Sequence, residues 1–330
     1  MASTGMAMPL DELIEADGEE GKAYIDDFLP GFMEDSYVDG KIYSIPFQRS
    51  TMVLYYNKDA FKEVGLDPEA PPTTWEELAE YGQKLTNDGR YGVGIALNSG
   101  SAQWAFTGFC LQNSTDGQNL MSEDGKSVYF NTPENVEALQ FWLDLQNEYK
   151  CMAEGIVQWT DLPTQFLAGE VAMIYHTTGN MANIHDNADF DFGTAFLPAH
   201  KRVGAPTGGG NFYISSNISE DRVQAAWKFI KFATSTDRAA QWSLDTGYVA
   251  TRQSCFDTDL IKDYYAEVPQ ASVAYEQLPY AKPELTTYNA AEIWRVLNDN
   301  IQAAVVGDMS AQEALDAAQE QAEEVLSEYQ

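Results

Sequence analysis

Basic residues are scarce in this sequence: 19 Lys and Arg stand against 51 Asp and Glu, a formal charge of −32 at pH 7. Nucleic-acid binding needs cation clusters that displace phosphate counterions, and none is visible. An anionic membrane surface is excluded as a direct partner for the same reason. Cysteine and histidine are rarer still, three of each. Cys110, Cys151 and Cys255 are too scattered for a disulfide framework or a zinc site, and one bridge would still leave a thiol free. His176, His185 and His200 share no ligand spacing, so neither metal nor cofactor is expected. No apolar run reaches the roughly eighteen residues of a transmembrane helix. The opening residues have neither the basic nor the apolar region of a signal peptide. Residues 10–14 read like the interior of a domain, so the chain is expected to begin after the true start.

What is present is ample core material. Hydrophobic residues make up 44% and aromatics 12% of 330 positions, which excludes disorder and exceeds a single ordinary core, so two lobes are expected. Seven Trp and eighteen Tyr also suit ligands with flat apolar faces, such as sugar rings. Strand-like and helix-like segments alternate, which predicts an α/β architecture with a largely parallel sheet in each lobe. Residues 41–46 and 51–56 read as two strands, 91–97 and 171–175 as two more. Thr74 and Glu77 have the spacing of a capping box before a helix that runs to about Leu85. Residues 132–149, 221–232, 236–246, 290–306 and 311–329 carry helical patterns, and 161–167 a shorter one.

Chemical motifs are missing where they would matter. The glycines at 208–210 lack the spacing of a nucleotide fingerprint and lead into a strand, so they read as close backbone approach. The acids at 186–191 lack the glycine and glutamate of a calcium loop. There is no nucleophile elbow, no zinc-protease motif and no Cys–His pairing, so no catalytic residue is named. A glycan hydrolase stays as the rival reading, because paired carboxylates abound without any pair being singled out.

Three stretches together resemble the family 1 extracellular solute-binding proteins, which include the maltose- and glycerol-3-phosphate-binding proteins. They are IPFQRSTMVLYYNKDAFKEVGLDPEAPPTTWEELAEYGQKL at 45–85, TQFLAGEVAMIYHTTGNMANI at 164–184, and 208–252, from GGGNFYISS to WKFIKFATSTDRAAQWSLDTGYVATR. The likeness covers essentially the whole chain and runs nearest the glycerol-3-phosphate-binding branch. It implies a two-lobed, type II periplasmic-binding-protein-like fold that holds ligand in its cleft without chemistry. Residues 1–51 and 208–246 would form the first lobe, lacking its opening strand and helix. Residues 52–207 and 247–330 would form the second. The implied role is the substrate-binding component of an ABC importer that captures a sugar, short oligosaccharide or glycerol-3-phosphate. The permease subunits would be its partners. The protein would be a monomer outside the cell or in the periplasm, anchored as a lipoprotein in full-length form. A truncated product that binds nothing is the further alternative.

The resemblance also assigns ligand-binding residues: Ser50, Trp104, Thr177, Thr178, Gly209, Tyr248 and Arg295. Ser101 stands where the branch has a second tryptophan, which favours a neutral sugar over the phosphate ester. Aromatic faces stack on sugar C–H surfaces, hydroxyls and backbone N–H groups bind ligand oxygens, and an Arg fork holds phosphate or vicinal hydroxyls. Bland roles compete: Trp104 suits a core, Tyr248 suits plain packing, and Arg295 suits an ion pair. Arg49 has no family counterpart and is expected in a salt bridge.

Overall fold

The run SIPFQRSTMVLYYN forms one strand, Ser44–Asn57, in the computed structural model, which describes residues 2, 4–98 and 100–330. Two strands were expected across this stretch. No Gly, Asn or Asp interrupts it before Asn57, so nothing turns the chain. Its register with Ala205–Tyr213 shifts between Pro46 and Gln48, next to a proline that has no N–H to donate.

The chain divides into two compact units. The first comprises Met1–Thr51, Thr178–Ala182 and Thr207–Pro279; the second comprises Met52–Thr177, Asn183–Pro206 and Tyr280–Gln330. The expected second lobe of 52–207 and 247–330 is corrected for residues 178–182 and 207 and for the longer stretch 247–279, all of which belong to the first unit. Backbone bonds hold that stretch there: Val249 N–H donates to Arg49 O, and Leu29 N–H to Thr251 O, each at 2.9 Å. Arg252 adds a 2.6 Å ion pair with Asp27.

In the first unit the early half of the long strand pairs antiparallel with the later residues of Ala205–Tyr213. The helices Asp11–Ala16, Gly18–Asp26 and Glu220–Ala233 surround a core of Leu10, Tyr24, Phe28, Ile45, Trp227 and Ile230. The acid-rich stretch from Asp11 to Asp26 thus forms two helices with Glu12, Glu15, Glu19 and Glu20 exposed, while Asp11 accepts from Ile42 N–H and Asp17 from Trp227 and Lys231.

In the second unit, Met52–Asn57 pairs antiparallel with Val171–Thr177 and Phe192–Ala195, and Val171–Thr177 pairs parallel with Tyr91–Gly94. The largely parallel sheets expected in both lobes are therefore corrected. The chain leaves the first unit along Ser44–Asn57 and re-enters it along Ala205–Tyr213, and paired strands that travel opposite ways are antiparallel. The strand expected over 91–97 ends at Gly94.

Helix Trp75–Leu85 starts at Thr74, whose hydroxyl accepts from Glu77 N–H at 3.1 Å. The Glu77 carboxylate reaches Thr73 instead of Thr74, accepting from its N–H and hydroxyl. A full reciprocal box forms at Ser310 and Glu313, opening Ala311–Leu326. The helix Trp75–Leu85 lies so close to Tyr91–Gly94 that a Cβ on Gly92 would sit 2.0 Å from Gly82 O. His176, 3% exposed on Val171–Thr177, faces the aromatic side of this core. Burial lowers its pKa to about 4, against a weaker opposite effect from the Trp159 carbonyl.

Two expectations follow. Gly92→Ala forces backbone apart and should cost at least the ~1–3 kcal/mol of an overpacked core, read as a lower urea midpoint. Gly89→Ala, whose Cβ would meet nothing nearer than 3.8 Å, is the control and should change little. His176 folds neutral, so its contribution is complete above the ordinary pKa of 6.5 and is lost as pH falls toward about 4. The loss is on the order of 3 kcal/mol. Urea midpoints at pH 7, 5.5 and 4 should converge between wild type and His176→Gln as the pH drops. Parallel acid profiles would refute a neutral buried imidazole.

Candidate functional site

The assigned residues fall into two sets, one in each unit. In the first unit Ser50 is 2% exposed and lies opposite Gly208, while Arg49 lies opposite Gly209. Gly209 has φ +101°, and a Cβ there would come within 2.0 Å of Gln48 O, so only glycine holds this strand-to-strand approach. Thr178 is buried, and its hydroxyl accepts from Thr51 N–H at 3.4 Å. The Gln277 side chain donates to the Thr51 hydroxyl at 3.3 Å.

Helix Thr236–Thr246 ends at Gly247 in the left-handed region, φ +84°. That cap turns Tyr248 so that its ring lies over Gly179, where a Cβ would be 2.7 Å from the ring. Ser50, Thr178 and Tyr248 therefore belong to one patch built of close backbone contacts. Arg49 sits behind it, 3% exposed, paired with Asp35 at 2.9 Å and bonded to Asn211 and Thr207. Burial pushes the Asp35 carboxyl up and the Arg49 charge opposes that shift. The salt bridge expected for Arg49 is present.

In the second unit Trp104 lies near the start of Ala102–Asn113, a helix buried along its whole length, and is 8% exposed. Its ring meets Trp159 at 5.7 Å between centroids and 53° between planes. Trp159 in turn stacks on His176 at 3.8 Å and 21°. Thr177 follows His176 at the strand's end, and its carbonyl accepts from the Tyr55 hydroxyl at 2.8 Å. Ser101 donates to the Asn98 side chain at 2.7 Å, and the same Asn98 oxygen accepts from Trp159 N–H at 2.9 Å. Ser101 and the Trp159 backbone N–H thus share one acceptor on Asn98.

Arg295 makes its ion pairs elsewhere. It is exposed on Ala290–Val305 and pairs with Glu292 and Asp299 on the same helix, each at 2.7 Å. Those two acids raise its already high pKa further. Sequence reasoning missed Trp159, His176 and Asn98. The one available signal was a tryptophan in the polar run QWTD, which otherwise reads as loop.

Among the described residues no group of three His, Cys, Asp or Glu is placed to hold a metal ion, and no helix is long and apolar enough to cross a membrane. The three cysteines are free and buried. Burial raises each thiol, Cys151 to about 12 and Cys255 to about 11, which leaves them unreactive near neutrality.

The sequence matches the bacterial extracellular solute-binding protein family over residues 1–270. It is 29% identical over 349 aligned positions to the sn-glycerol-3-phosphate-binding periplasmic protein UgpB of Escherichia coli O6:K15:H31, covering all of this chain and 77% of that protein. Among solved structures it is similar to UgpB from Mycobacterium tuberculosis in complex with glycerophosphocholine. That likeness has a TM-score of 0.87 and 27% identity, over 99% of this chain and 80% of the other. It is also similar to the cyclic alpha-maltosyl-1,6-maltose binding protein of Arthrobacter globiformis, with a TM-score of 0.83 and 26% identity, over 99% and 81% of the two chains. On that match, with the α/β fold beside it, the chain belongs to the bacterial extracellular solute-binding proteins.

Proposed function

We propose that this chain captures a neutral carbohydrate, a sugar or short oligosaccharide, and delivers it to the permease of an ABC importer without altering it. Ser50, Thr178, Gly209 and Tyr248 of the first unit would contact the ligand, together with Trp104 and Thr177 of the second. The observation that carries the choice of ligand is the state of the arginines. Arg49 is committed to buried Asp35, and Arg295 is shared between two carboxylates of its own helix. His176, the remaining basic group of the second set, is held neutral. A phosphate needs a charge-assisted donor, whereas sugar hydroxyls are served by the hydroxyl, amide and indole groups these sets contain. Glycerol-3-phosphate stays as the second reading, because the relatives that match the whole chain bind it by name. Arg295 would then have to exchange Glu292 and Asp299 for the ligand.

Export as an anchored lipoprotein and action as a monomer complete the proposal. The charge of −32 favours mutual repulsion between copies.

Calorimetry with maltose, maltotriose, sn-glycerol-3-phosphate and glycerophosphocholine tests the reading. Saturable binding of a maltosaccharide with no product by chromatography is expected, and Arg295→Ala should leave that affinity unchanged. Binding of the phosphate esters alone, abolished by Arg295→Ala, would establish the second reading. Turnover of any sugar would overturn both.

A further inference from the structure

We propose that Trp159 is a ligand-stacking residue of this chain, and that its flat face selects ring-bearing sugars over acyclic ligands of similar polarity. The inference rests on the carbohydrate reading above and adds a residue that neither the motifs nor the resemblance supplied.

The local setting is unusual for a tryptophan that only fills a core. Trp159 is half-buried, and its neighbours Gln158, Thr160 and Asp161 are all exposed. An indole at such a boundary exposes costly apolar surface unless something covers it. It is also fixed at several points. The His176 ring lies parallel to it at 3.8 Å, and Trp104 meets it at 5.7 Å with a 53° tilt. Its backbone N–H donates to Asn98 Oδ1 at 2.9 Å, and its backbone carbonyl lies 3.3 Å from His176 Nε2. A carbonyl only accepts, so Nε2 carries the proton and Nδ1 keeps a bare lone pair. That Nδ1 is buried and has no hydrogen-bond partner.

A phenyl ring at position 176 would avoid the penalty of an unpaired buried acceptor. What imidazole supplies in its place is the bond to the Trp159 carbonyl, together with a flat backing for the indole. The arrangement holds one indole at a set tilt to a second, with its orientation decided before any ligand arrives. Preorganised aromatic surface of this kind suits the C–H faces of a pyranose, which present a flat apolar patch between hydroxyls. An open-chain polyol has the hydroxyls without the flat face. His176 acts here as a positioning residue, through Trp159.

The test compares wild type, Trp159→Ala, Trp159→Phe and His176→Phe by calorimetry, with maltose or maltotriose as the ring-bearing probe and ribitol as the acyclic one. Thermal unfolding by circular dichroism accompanies each variant. Trp159→Ala should weaken the maltosaccharide about thirtyfold or more, the scale of a buried aromatic anchor, and shift ribitol much less. Trp159→Phe, which keeps a smaller ring and decides the matter if the alanine variant does not fold, should fall between the two. His176→Phe should weaken the maltosaccharide selectively, in the same direction. Equal weakening of both probes, or an unchanged maltosaccharide affinity in a folded Trp159 variant, overturns the proposal and leaves the carbohydrate reading standing. Failure of wild type to bind any maltosaccharide overturns both.

Discussion

One uninterrupted strand has to satisfy two sets of partners, and the rest of the molecule is arranged around that demand. Ser44–Thr51 gives its hydrogen bonds to Thr207–Tyr213, and Met52–Asn57 gives its own to Val171–Thr177 and Phe192–Ala195. A buried backbone group without a partner is costly, so each unit must return strands of the right direction to this one. Four of the candidate residues lie at those returns. Ser50 is on the strand itself, Gly209 is on the strand beside it, and Thr177 and Thr178 are where Val171–Thr177 ends. Close approach of backbones there leaves room for glycine and small hydroxyl residues, which are also the groups that can offer a ligand N–H and O–H donors. The demands of the ladder and of binding coincide in residue type.

The acidity of the chain has a consequence beyond solubility. With 51 carboxylates against 19 cations, carboxylate partners are plentiful for the arginines. Arg49 and Arg252 find theirs inside the first unit, and Arg295 along its own helix. The largely buried Arg49–Asp35 pair is hard to separate, because breaking it strands a charge away from water. An exposed pair such as that of Arg295 is weakly held. A phosphate-binding role could therefore draw on Arg295 far more readily than on Arg49, and this is why the two readings of the ligand meet at that residue.

The helices were legible in the sequence because their signals are local. Thr74 and Glu77, the Pro133 start and the periodic apolar positions of 311–329 need nothing from the rest of the chain. Strand direction was not legible. Alternating strands and helices fit a parallel sheet, yet the direction of Ala205–Tyr213 depends on which unit the chain is returning to, a fact that no window of residues contains. Residues 247–279 were misplaced for a similar reason. Their attachment rests on Arg252–Asp27 and on backbone bonds to Arg49 and Leu29, all separated widely in sequence. The hydroxyl and glycine positions of the candidate site were legible only through the family pattern. Trp159 was not, since a single tryptophan in a polar loop has no period to reveal it.

His176 shows how the two kinds of information combine. From sequence it is a histidine without ligand spacing, and a bland core role is the default. In the structure it is a core residue, buried and neutral, yet a wholly apolar side chain would serve a core better than a ring with an unpaired nitrogen. Binding alone gains nothing from the titration of such a ring near pH 7. It can gain from a planar group that carries one donor, because that group stacks on a neighbouring indole and bonds to the backbone carbonyl of the same tryptophan. In a solute-binding protein, whose selectivity resides in surfaces set before the ligand arrives, a small loss of stability in the core is a physically reasonable exchange for a tryptophan that does not move.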